Sequence, residues 1–294
     1  MDRRQFFIAS ATVAAGGMPA NSLATGNAQE PKEFIGVLVD TTRCIGCRSC
    51  EVACSVANDN FVPDVKADNA LAQVRDTSEK QYTVVNRFNT EKGEVFVKRQ
   101  CMHCWQAACV AMCLVNAMFK TNEGPVTWNG DKCLGCRFCM VACPFDIPKA
   151  EYLSWNPRIM KCTMCYERLQ EGKRPACVES CPTDTLMFGQ KRELMEIARH
   201  RIYSHPDKYV HKIYGEHEAG GTGWLYLSAV PFEQLGFRTD LGTTPYPEYT
   251  KNFLVSVPLI LFGVPALLLG LSELTDRKKE VRENEEWTEP EGKE

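Results

Sequence analysis

Cysteine is the residue type in this sequence that most directly indicates chemistry. The 294 residues include sixteen cysteines, and these fall into four groups of four with none left over. Thiolates are the ligands of [4Fe–4S] clusters, and four such clusters with four ligands each use sixteen. The groups are Cys44, Cys47, Cys50 and Cys54; Cys101, Cys104, Cys109 and Cys113; Cys133, Cys136, Cys139 and Cys143; and Cys162, Cys165, Cys177 and Cys181. The sequence therefore predicts four [4Fe–4S] clusters, and a chain that carries four is most simply an electron conductor.

The spacing within the groups is of two kinds. The first and third groups read C-x2-C-x2-C-x3-C, the bacterial ferredoxin run in which the fourth cysteine binds the other cluster of a pair. The second and fourth groups keep the opening x2 and the closing x3 but have longer middle loops, and a loop insertion leaves the donor set intact. Pro144 and Pro182 follow the last cysteine of the third and fourth groups, as in that run.

The groups also repeat one another. Residues 44–54 (CIGCRSCEVAC) and 133–143 (CLGCRFCMVAC) are identical at eight of eleven positions, and residues 108–113 (ACVAMC) are similar to 176–181 (ACVESC). This repeat indicates two diverged copies of a two-cluster ferredoxin unit.

Disulfides and structural zinc are the two alternative uses of these cysteines. Cysteines at x2 and x3 spacing do not easily pair within their groups, which disfavours disulfides. Zinc modules usually show two C-x2-C pairs and not three cysteines spaced by two followed by x3-C-P. The spacing favours clusters over both.

The first 28 residues are predicted to be a targeting segment outside the fold. Arg3 and Arg4 precede an apolar stretch of small residues from 9 to 20, with candidate cleavage sites near Ala24 and Ala28. This is the order of a twin-arginine export signal. That route carries folded proteins, so clusters inserted in the reducing cytoplasm can be exported intact.

Residues 253–272 form an uncharged run that predicts a transmembrane helix. The alternative is a buried core helix. Arg277, Lys278 and Lys279 follow the run, whereas Lys251 is the single basic residue shortly before it. Basic residues stay on the cytoplasmic side. We therefore expect an inner-membrane protein with one span, its cluster domain in the periplasm and a cytoplasmic tail at 273–294.

The remaining sequence predicts a compact α+β core with many loops. We assign residues 34–190 to the four-cluster ferredoxin-like domain and 191–250 to a cap or docking segment. Strands are expected at Phe34–Asp40 and Glu94–Arg99, and a long polar loop at Asn58–Thr90.

Other features of the chain argue against nucleic-acid binding and against catalysis. The net charge of −3 is close to neutral, and the sequence has no phosphate-binding loop. No Ser-His-Asp arrangement or paired carboxylate stands in a catalytic context. His103 lies inside the second C-x2-C, where packing or solvent exposure is favoured over a role in tuning a cluster.

Taken together, these motifs resemble the four-cluster iron–sulfur subunits of bacterial respiratory oxidoreductases. These include the beta subunits of membrane-bound formate dehydrogenase and the ferredoxin subunits of the dimethyl sulfoxide reductase class. The resemblance covers roughly residues 34–275. The stretch 220–237 (GGTGWLYLSAVPFEQLGF), followed by one C-terminal membrane helix, is similar to formate dehydrogenase beta and to the hydrogenase-2 ferredoxin subunit. The twin-arginine signal resembles the hydrogenase-2 subunit more closely.

The resemblance implies which cysteines share a cluster. The first group pairs with the fourth, and the second with the third. The implied ligand sets are Cys44, Cys47, Cys50 and Cys181; Cys54, Cys162, Cys165 and Cys177; Cys101, Cys104, Cys109 and Cys143; and Cys113, Cys133, Cys136 and Cys139.

The resemblance also implies an electron-transfer subunit with no substrate chemistry of its own. It would pass electrons between a catalytic subunit and a membrane quinone-reactive or cytochrome b subunit. The expected catalytic partner is a nickel–iron hydrogenase; the alternative is a formate dehydrogenase or another molybdopterin oxidoreductase. A catalytic iron–sulfur enzyme is a further alternative, but it needs an open coordination site, and here all sixteen cysteines are used as ligands.

Overall fold

The computed structural model describes residues 33–65, 68–155 and 157–286. The predicted targeting segment 1–28 and the end of the predicted tail lie outside the described residues. The strands are β1 (Ile35–Asp40), β2 (Val84–Thr90), β3 (Gly93–Arg99), β4 (Met118–Lys120), β5 (Val126–Trp128), β6 (Lys149–Ala150), β7 (Ile159–Met160), β8 (Leu186–Gln190) and β9 (Trp224–Leu227). The helices are α1 (Ser49–Ala57), α2 (Ala108–Ala111), α3 (Phe138–Val141), α4 (Tyr166–Gln170), α5 (Ala176–Glu179), α6 (Lys191–Ser204) and α7 (Tyr246–Glu286). The predicted α+β class is confirmed.

A three-stranded sheet with the order β8-β1-β9 organises the fold. β1 runs antiparallel to β8 and parallel to β9. Side chains alternate between the two faces of a strand. Val37 and Val39 accordingly pack in the core that holds the cysteine loops, whereas Leu38 packs against α6. β1 is buried on both faces, which explains its nearly continuous apolar sequence.

Helix α6 covers the other face of this sheet. Leu194, Ala198 and Ile202 are spaced by four residues and are buried against Leu38 and Leu225. This spacing places them on one side of the helix. The helix therefore closes one side of the sheet and leaves the opposite side to the cysteine loops.

The segment 191–250 is part of this core. Its strand β9 pairs with β1 in the register Val37↔Trp224. Trp224 and Tyr226 are fully buried in the same core as Val37. A docking role for other parts of this segment stays a prediction.

The prediction of a polar loop over Asn58–Thr90 is wrong at the C-terminal end of that range. Residues Val84–Thr90 are strand β2, which pairs antiparallel with β3. Asn86 is buried there, and its side-chain amide exchanges hydrogen bonds of 2.9 and 2.8 Å with the backbone of Arg75. The polar sequence concealed this strand because its buried amide is satisfied locally. The predicted strands at 34–40 and 94–99 are confirmed as β1 and β3.

Helix α7 contains the predicted transmembrane segment and extends beyond it in both directions. It runs without a break from Tyr246 to Glu286 through Pro258 and Pro265. None of its apolar window is buried against the rest of the protein, which contradicts the alternative of a buried core helix. Within the described ranges, α7 is the one helix long and apolar enough to cross a membrane.

Candidate iron–sulfur centres

The loops of the first and third cysteine groups have the same backbone conformation. Arg48 and Arg137, which precede α1 and α3, both have φ 61° and ψ 8°. Gly46 and Gly135 have φ values of 69° and 67°. Left-handed residues at these two positions curl the chain tightly between the cysteines, and glycine adopts this conformation without steric strain. The sequence repeat is therefore also a structural repeat.

Each of these two loops begins at a capped turn after a strand. Asp40 ends β1, and its Oδ1 accepts a hydrogen bond of 3.1 Å from the backbone N–H of Thr42. Asn129 follows β5, and its Oδ1 accepts a bond of 2.9 Å from the N–H of Asp131. A short polar side chain at this position starts a helical turn. The strands and their caps thus fix where each cysteine run begins.

The second and fourth groups share a different local structure. Each opens with a left-handed residue inside its C-x2-C, His103 with φ 48° and Met164 with φ 56°. Each has a one-turn helix before its last cysteine, α2 or α5, and the residue that follows this helix, Met112 or Ser180, has φ −84° and ψ −2°. The longer middle loops leave this geometry unchanged.

Three of the groups end in the same turn. The third residue after the last cysteine is left-handed in the second, third and fourth groups: Asn116, Asp146 and Asp184. Asn and Asp tolerate this conformation better than most residues. In the second group the turn directs backbone N–H groups toward sulfur, since Ala117 and Met118 donate to Cys113 Sγ at 3.1 and 3.3 Å.

The last cysteine of the fourth group is surrounded by similar donors. Burial raises the pKa of Cys181, but the backbone N–H groups of Thr183, Leu186 and Thr185 lower it, and the net pKa lies below the ordinary value of a thiol. Amide donors of this kind stabilise a thiolate, and in an iron–sulfur site they also influence the reduction potential. The first group departs from the pattern because α1 continues to Ala57.

Several thiols have electrostatic neighbours in a second cysteine group: Cys44 has Cys181, Cys54 has Cys162, Cys104 has Cys143 and Cys139 has Cys113. The four ligand sets that the family resemblance implies contain these pairs. Each set joins three cysteines of one group to one cysteine of another. We call them set 1 (Cys44, Cys47, Cys50 and Cys181), set 2 (Cys54, Cys162, Cys165 and Cys177), set 3 (Cys101, Cys104, Cys109 and Cys143) and set 4 (Cys113, Cys133, Cys136 and Cys139). The structure thus brings together one cross-group pair of each implied set, and the full assignment of ligands to clusters stays a prediction.

The sets are themselves neighbours in a row. Cys50 of set 1 interacts electrostatically with Cys177 of set 2. Cys162 of set 2 interacts with Cys101 of set 3. Cys109 of set 3 interacts with Cys139 of set 4. These pairs make set 1 a neighbour of set 2, set 2 a neighbour of set 3, and set 3 a neighbour of set 4.

Burial makes most of these thiols poor acids in the absence of metal. It raises the pKa of Cys54 and Cys104 well above the ordinary value, with further contributions from neighbouring thiols. Burial likewise raises the pKa of Cys162 to about 12 and that of Cys139 to about 11. A buried set of four thiolates is stable only if positive charge offsets most of its own. The core of an iron–sulfur cluster supplies positive charge of this kind.

The donor chemistry fits clusters better than either alternative. All sixteen cysteines are free, so the disulfide alternative is contradicted. Among the residues that the structure describes, no group of three or more metal-binding side chains has the spacing to hold a single metal ion. Zinc needs its ligands around one ion, whereas each cysteine of a cubane binds a different iron. One cavity is lined by all four cysteines of set 1 together with Phe96 and Lys98.

His103 is buried, which contradicts solvent exposure and confirms packing. Its Nδ1 accepts a hydrogen bond of 2.9 Å from the backbone N–H of Val126. Burial lowers the pKa of His103 far below its ordinary value, and Lys161, Lys120 and Lys98 lower it further. The imidazole is therefore neutral, with its proton on Nε2.

Sequence reasoning missed the lysines that surround the cysteine sets. Lys98 and Lys161 are both about 3 % exposed. Lys161 Nζ donates to the backbone carbonyls of Val126 and Cys162, and Lys120 Nζ donates to the carbonyl of Cys104 at 2.8 Å. The available signal was the position of Lys161 next to Cys162 and of Lys98 within an apolar strand.

Comparisons with known proteins agree with this geometry. A sequence model of the 4Fe-4S dicluster domain family matches residues 93–191. A protein of Nitratidesulfovibrio vulgaris is 45% identical over 297 residues, covering 97% of this chain and 80% of the relative. The hydrogenase-2 operon protein HybA of Escherichia coli is 33% identical and covers 94% of this chain and 95% of its own. The iron–sulfur subunit of the nitrate-inducible formate dehydrogenase of Escherichia coli is 34% identical, with coverages of 67% and 68%.

Proposed function

Because this chain belongs to the ferredoxin-type iron–sulfur subunits that include HybA and the formate dehydrogenase iron–sulfur subunits, we propose that it conducts electrons through four [4Fe–4S] clusters. Sets 1 to 4 are the proposed ligands, one cluster to a set. The observation that supports this proposal is the adjacency of successive sets, from set 1 to set 2, set 2 to set 3 and set 3 to set 4. Electrons would enter at one end of the row and leave at the other.

The clusters supply one-electron chemistry when bound, and the protein positions and tunes them. The capped turns and left-handed residues hold the thiolates. Burial of Cys54, Cys109 and Cys177 excludes water from the interior sets. Backbone donors around Cys113 and Cys181 and the buried lysines adjust the local charge. All sixteen cysteines are used as ligands, which leaves no open position for catalysis.

We further propose that α7 anchors the chain in the inner membrane with the clusters on the periplasmic side. The length and apolar composition of α7 support the anchor. The basic residues Arg277, Lys278 and Lys279 near its C-terminal end support a cytoplasmic C-terminus. The twin-arginine motif of residues 1–28 supports export. An integral membrane quinone-reactive or cytochrome b subunit would be the electron partner at this membrane.

The proposed catalytic partner is a nickel–iron hydrogenase. HybA, named for the hydrogenase-2 operon, matches 94% of this chain, whereas the formate dehydrogenase subunit matches 67%. The match to HybA therefore extends over more of the chain. The second candidate is a formate dehydrogenase or another molybdopterin enzyme, which the similarity to formate dehydrogenase subunits supports.

Purification from mildly solubilised membranes tests the proposal. We expect about sixteen iron atoms per chain, little zinc, and a nickel–iron hydrogenase among the co-purifying subunits identified by mass spectrometry. The same iron content with a molybdopterin subunit would favour the second candidate. Zinc in place of iron under anaerobic handling would end the electron-transfer proposal.

A further inference from the structure

Lys98 of β3 is a buried cation. Its side chain is 3 % exposed. Its Nζ donates a hydrogen bond of 3.0 Å to Gln100 Oε1 and lies 4.5 Å from the centroid of the Trp224 ring. A neutral amide and an indole ring stabilise an ammonium group only partly. An isolated buried charge is strongly unfavourable, so this ammonium requires an anion nearby.

The buried carboxylate of Glu51 is already neutralised. Glu51, on α1 beside Cys50, forms ion pairs of 2.9 Å with Arg48 and 2.6 Å with Arg75. Its charge is balanced by these two guanidinium groups. Glu51 is therefore not the counter-ion of Lys98.

Thiols of two different sets surround Lys98. Lys98 lines the cavity formed by the four cysteines of set 1, which include Cys50. Its Nζ also lies over the ring of Trp224, which packs in the same core as Cys162 and Cys177 of set 2. The ammonium group thus lies beside both sets.

A cubane held by four thiolates is an anion, and each electron that it accepts adds one negative charge. A fixed cation nearby stabilises the reduced form more than the oxidised form. The effect is large where water is excluded, as it is around Lys98, and it falls with distance. Removing the cation must therefore lower the reduction potential of the clusters closest to it.

We propose that Lys98 is the shared counter-ion of the centres at sets 1 and 2 and holds both reduction potentials above those the same ligands would give without it. This inference rests on the proposed four-cluster function. Lys98 does not bind iron. Its charge favours reduction of the centres at sets 1 and 2 over those at sets 3 and 4.

The substitution Lys98→Met tests this inference because methionine has nearly the same length and no charge. Lys92→Met is the matched control, since Lys92 lies exposed in the turn of the same β2–β3 hairpin. Both variants are purified as the complex, their iron is counted, and their potentials are measured by redox titration monitored by electron paramagnetic resonance.

In Lys98→Met we expect two of the four reduction steps to shift to lower potential. The equilibrium constant for reduction should fall at least tenfold at each of these steps, which corresponds to 59 mV for a one-electron step. The other two steps and all four steps of Lys92→Met should match the wild type. Lys98→Arg, which retains the charge, should restore the two shifted steps. That rescue separates charge from packing.

Two results would overturn the inference. One is a full iron complement in Lys98→Met with all four potentials equal to those of Lys92→Met. The other is an equal shift of all four, which indicates a general structural effect. If Lys98→Met does not assemble, Lys98→Gln is measured in the same way.

If neither Lys98→Met nor Lys98→Gln retains iron at the two centres, the iron content of Lys98→Arg tests the inference. Assembly with arginine supports a counter-ion, and failure with arginine shows a requirement for lysine shape and contradicts the inference. Absence of iron from the wild-type protein would instead refute the proposed function, so the two failures are distinguishable.

Discussion

At the scale of single residues, the cysteine sites depend on backbone conformation as much as on the thiols. Left-handed residues stand at matching positions in repeated groups, as with Arg48 and Arg137 or His103 and Met164. These positions turn the chain tightly between the cysteines of a group. The cysteine pattern indicates the number of candidate ligands, whereas the turns fix the local path of the backbone that carries them.

The crosswise sharing of ligands leads to the first prediction. Cys54→Ser and Cys165→Ser should perturb the same cluster, although Cys54 lies in the run with Cys50. Cys50→Ser should perturb a different one. The measurement is the low-temperature paramagnetic spectrum of each reduced variant, with iron counted per chain. If Cys54→Ser and Cys50→Ser changed the same signal and Cys165→Ser another, the assignment of sets 1 and 2 would be wrong.

At the scale of elements, the loops of the first and third cysteine groups have nearly the same backbone conformation, but different residues pack around them. Gly46 and Gly135 have nearly the same φ, but a Cβ on Gly46 would lie 2.5 Å from Cδ1 of Phe96. At Gly135 no atom outside its chain neighbours lies within 4 Å of that position. The hairpin that carries Phe96 packs against the first run.

This difference gives a matched pair of substitutions. Gly135→Ala should destabilise the protein by about 1 kcal/mol because alanine is strained at positive φ. Gly46→Ala should add about 1–3 kcal/mol for the collision with Phe96. The comparison is the apparent midpoint of anaerobic thermal unfolding, followed by cluster absorbance. Equal effects of the two variants would contradict the packing of Phe96 on the first run.

A buried ion-pair network joins α1 to the same hairpin. Glu51 is 1 % exposed and is bound by Arg48 and Arg75. Glu51→Gln retains the shape but leaves two arginines without their counter-charge, and we expect destabilisation of about 3 kcal/mol. The control is Glu94→Gln, which removes an exposed pair with Arg87 and should change stability by about 0.5 kcal/mol or less. Similar unfolding midpoints for the two variants would show that the network does not hold the hairpin.

At the scale of the whole molecule, the part of the chain that the structure describes combines a folded cysteine-rich domain with one long exposed helix, α7. The apolar side chains of α7 have no partner within the described part of the chain, and Phe253 and Leu259 are two examples. So large an apolar surface is unstable in water and is expected to lie in lipid or against another membrane protein.

Truncation tests the anchor. In cells that lack the partner subunits, deleting residues 253–294 should release an intact brown protein from the membrane fraction. Deleting only 283–294 removes the polar tail and retains the apolar segment, so that variant should remain in the membrane after a carbonate wash. A 253–294 deletion that stayed membrane-bound without partners would show that another part of the chain provides the attachment.

Several features of this protein can be recognised from short stretches of its sequence. In three of the four groups, four cysteines lie within about a dozen residues and can be recognised as candidate ligands because their spacing reflects the short turns that present them. The strand before the first run and the apolar segment of α7 are also recognisable. A short continuous apolar run indicates a buried strand, and a run of about twenty indicates a membrane helix. The repeat between residues 44–54 and 133–143 reappears in the structure almost angle for angle.

Only the tertiary structure decided the features that depend on distant parts of the chain. The polar sequence of β2 does not reveal a strand, because its stability comes from pairing with β3 and from the buried amide of Asn86. β9 joins the central sheet from far along the chain. The sequence shows Lys98 only as a charged residue within an apolar strand. Its neighbours are thiols from two groups, more than sixty residues away on one side and about fifty on the other. Buried charge is selected by the three-dimensional environment that neutralises it, and no local pattern records that environment.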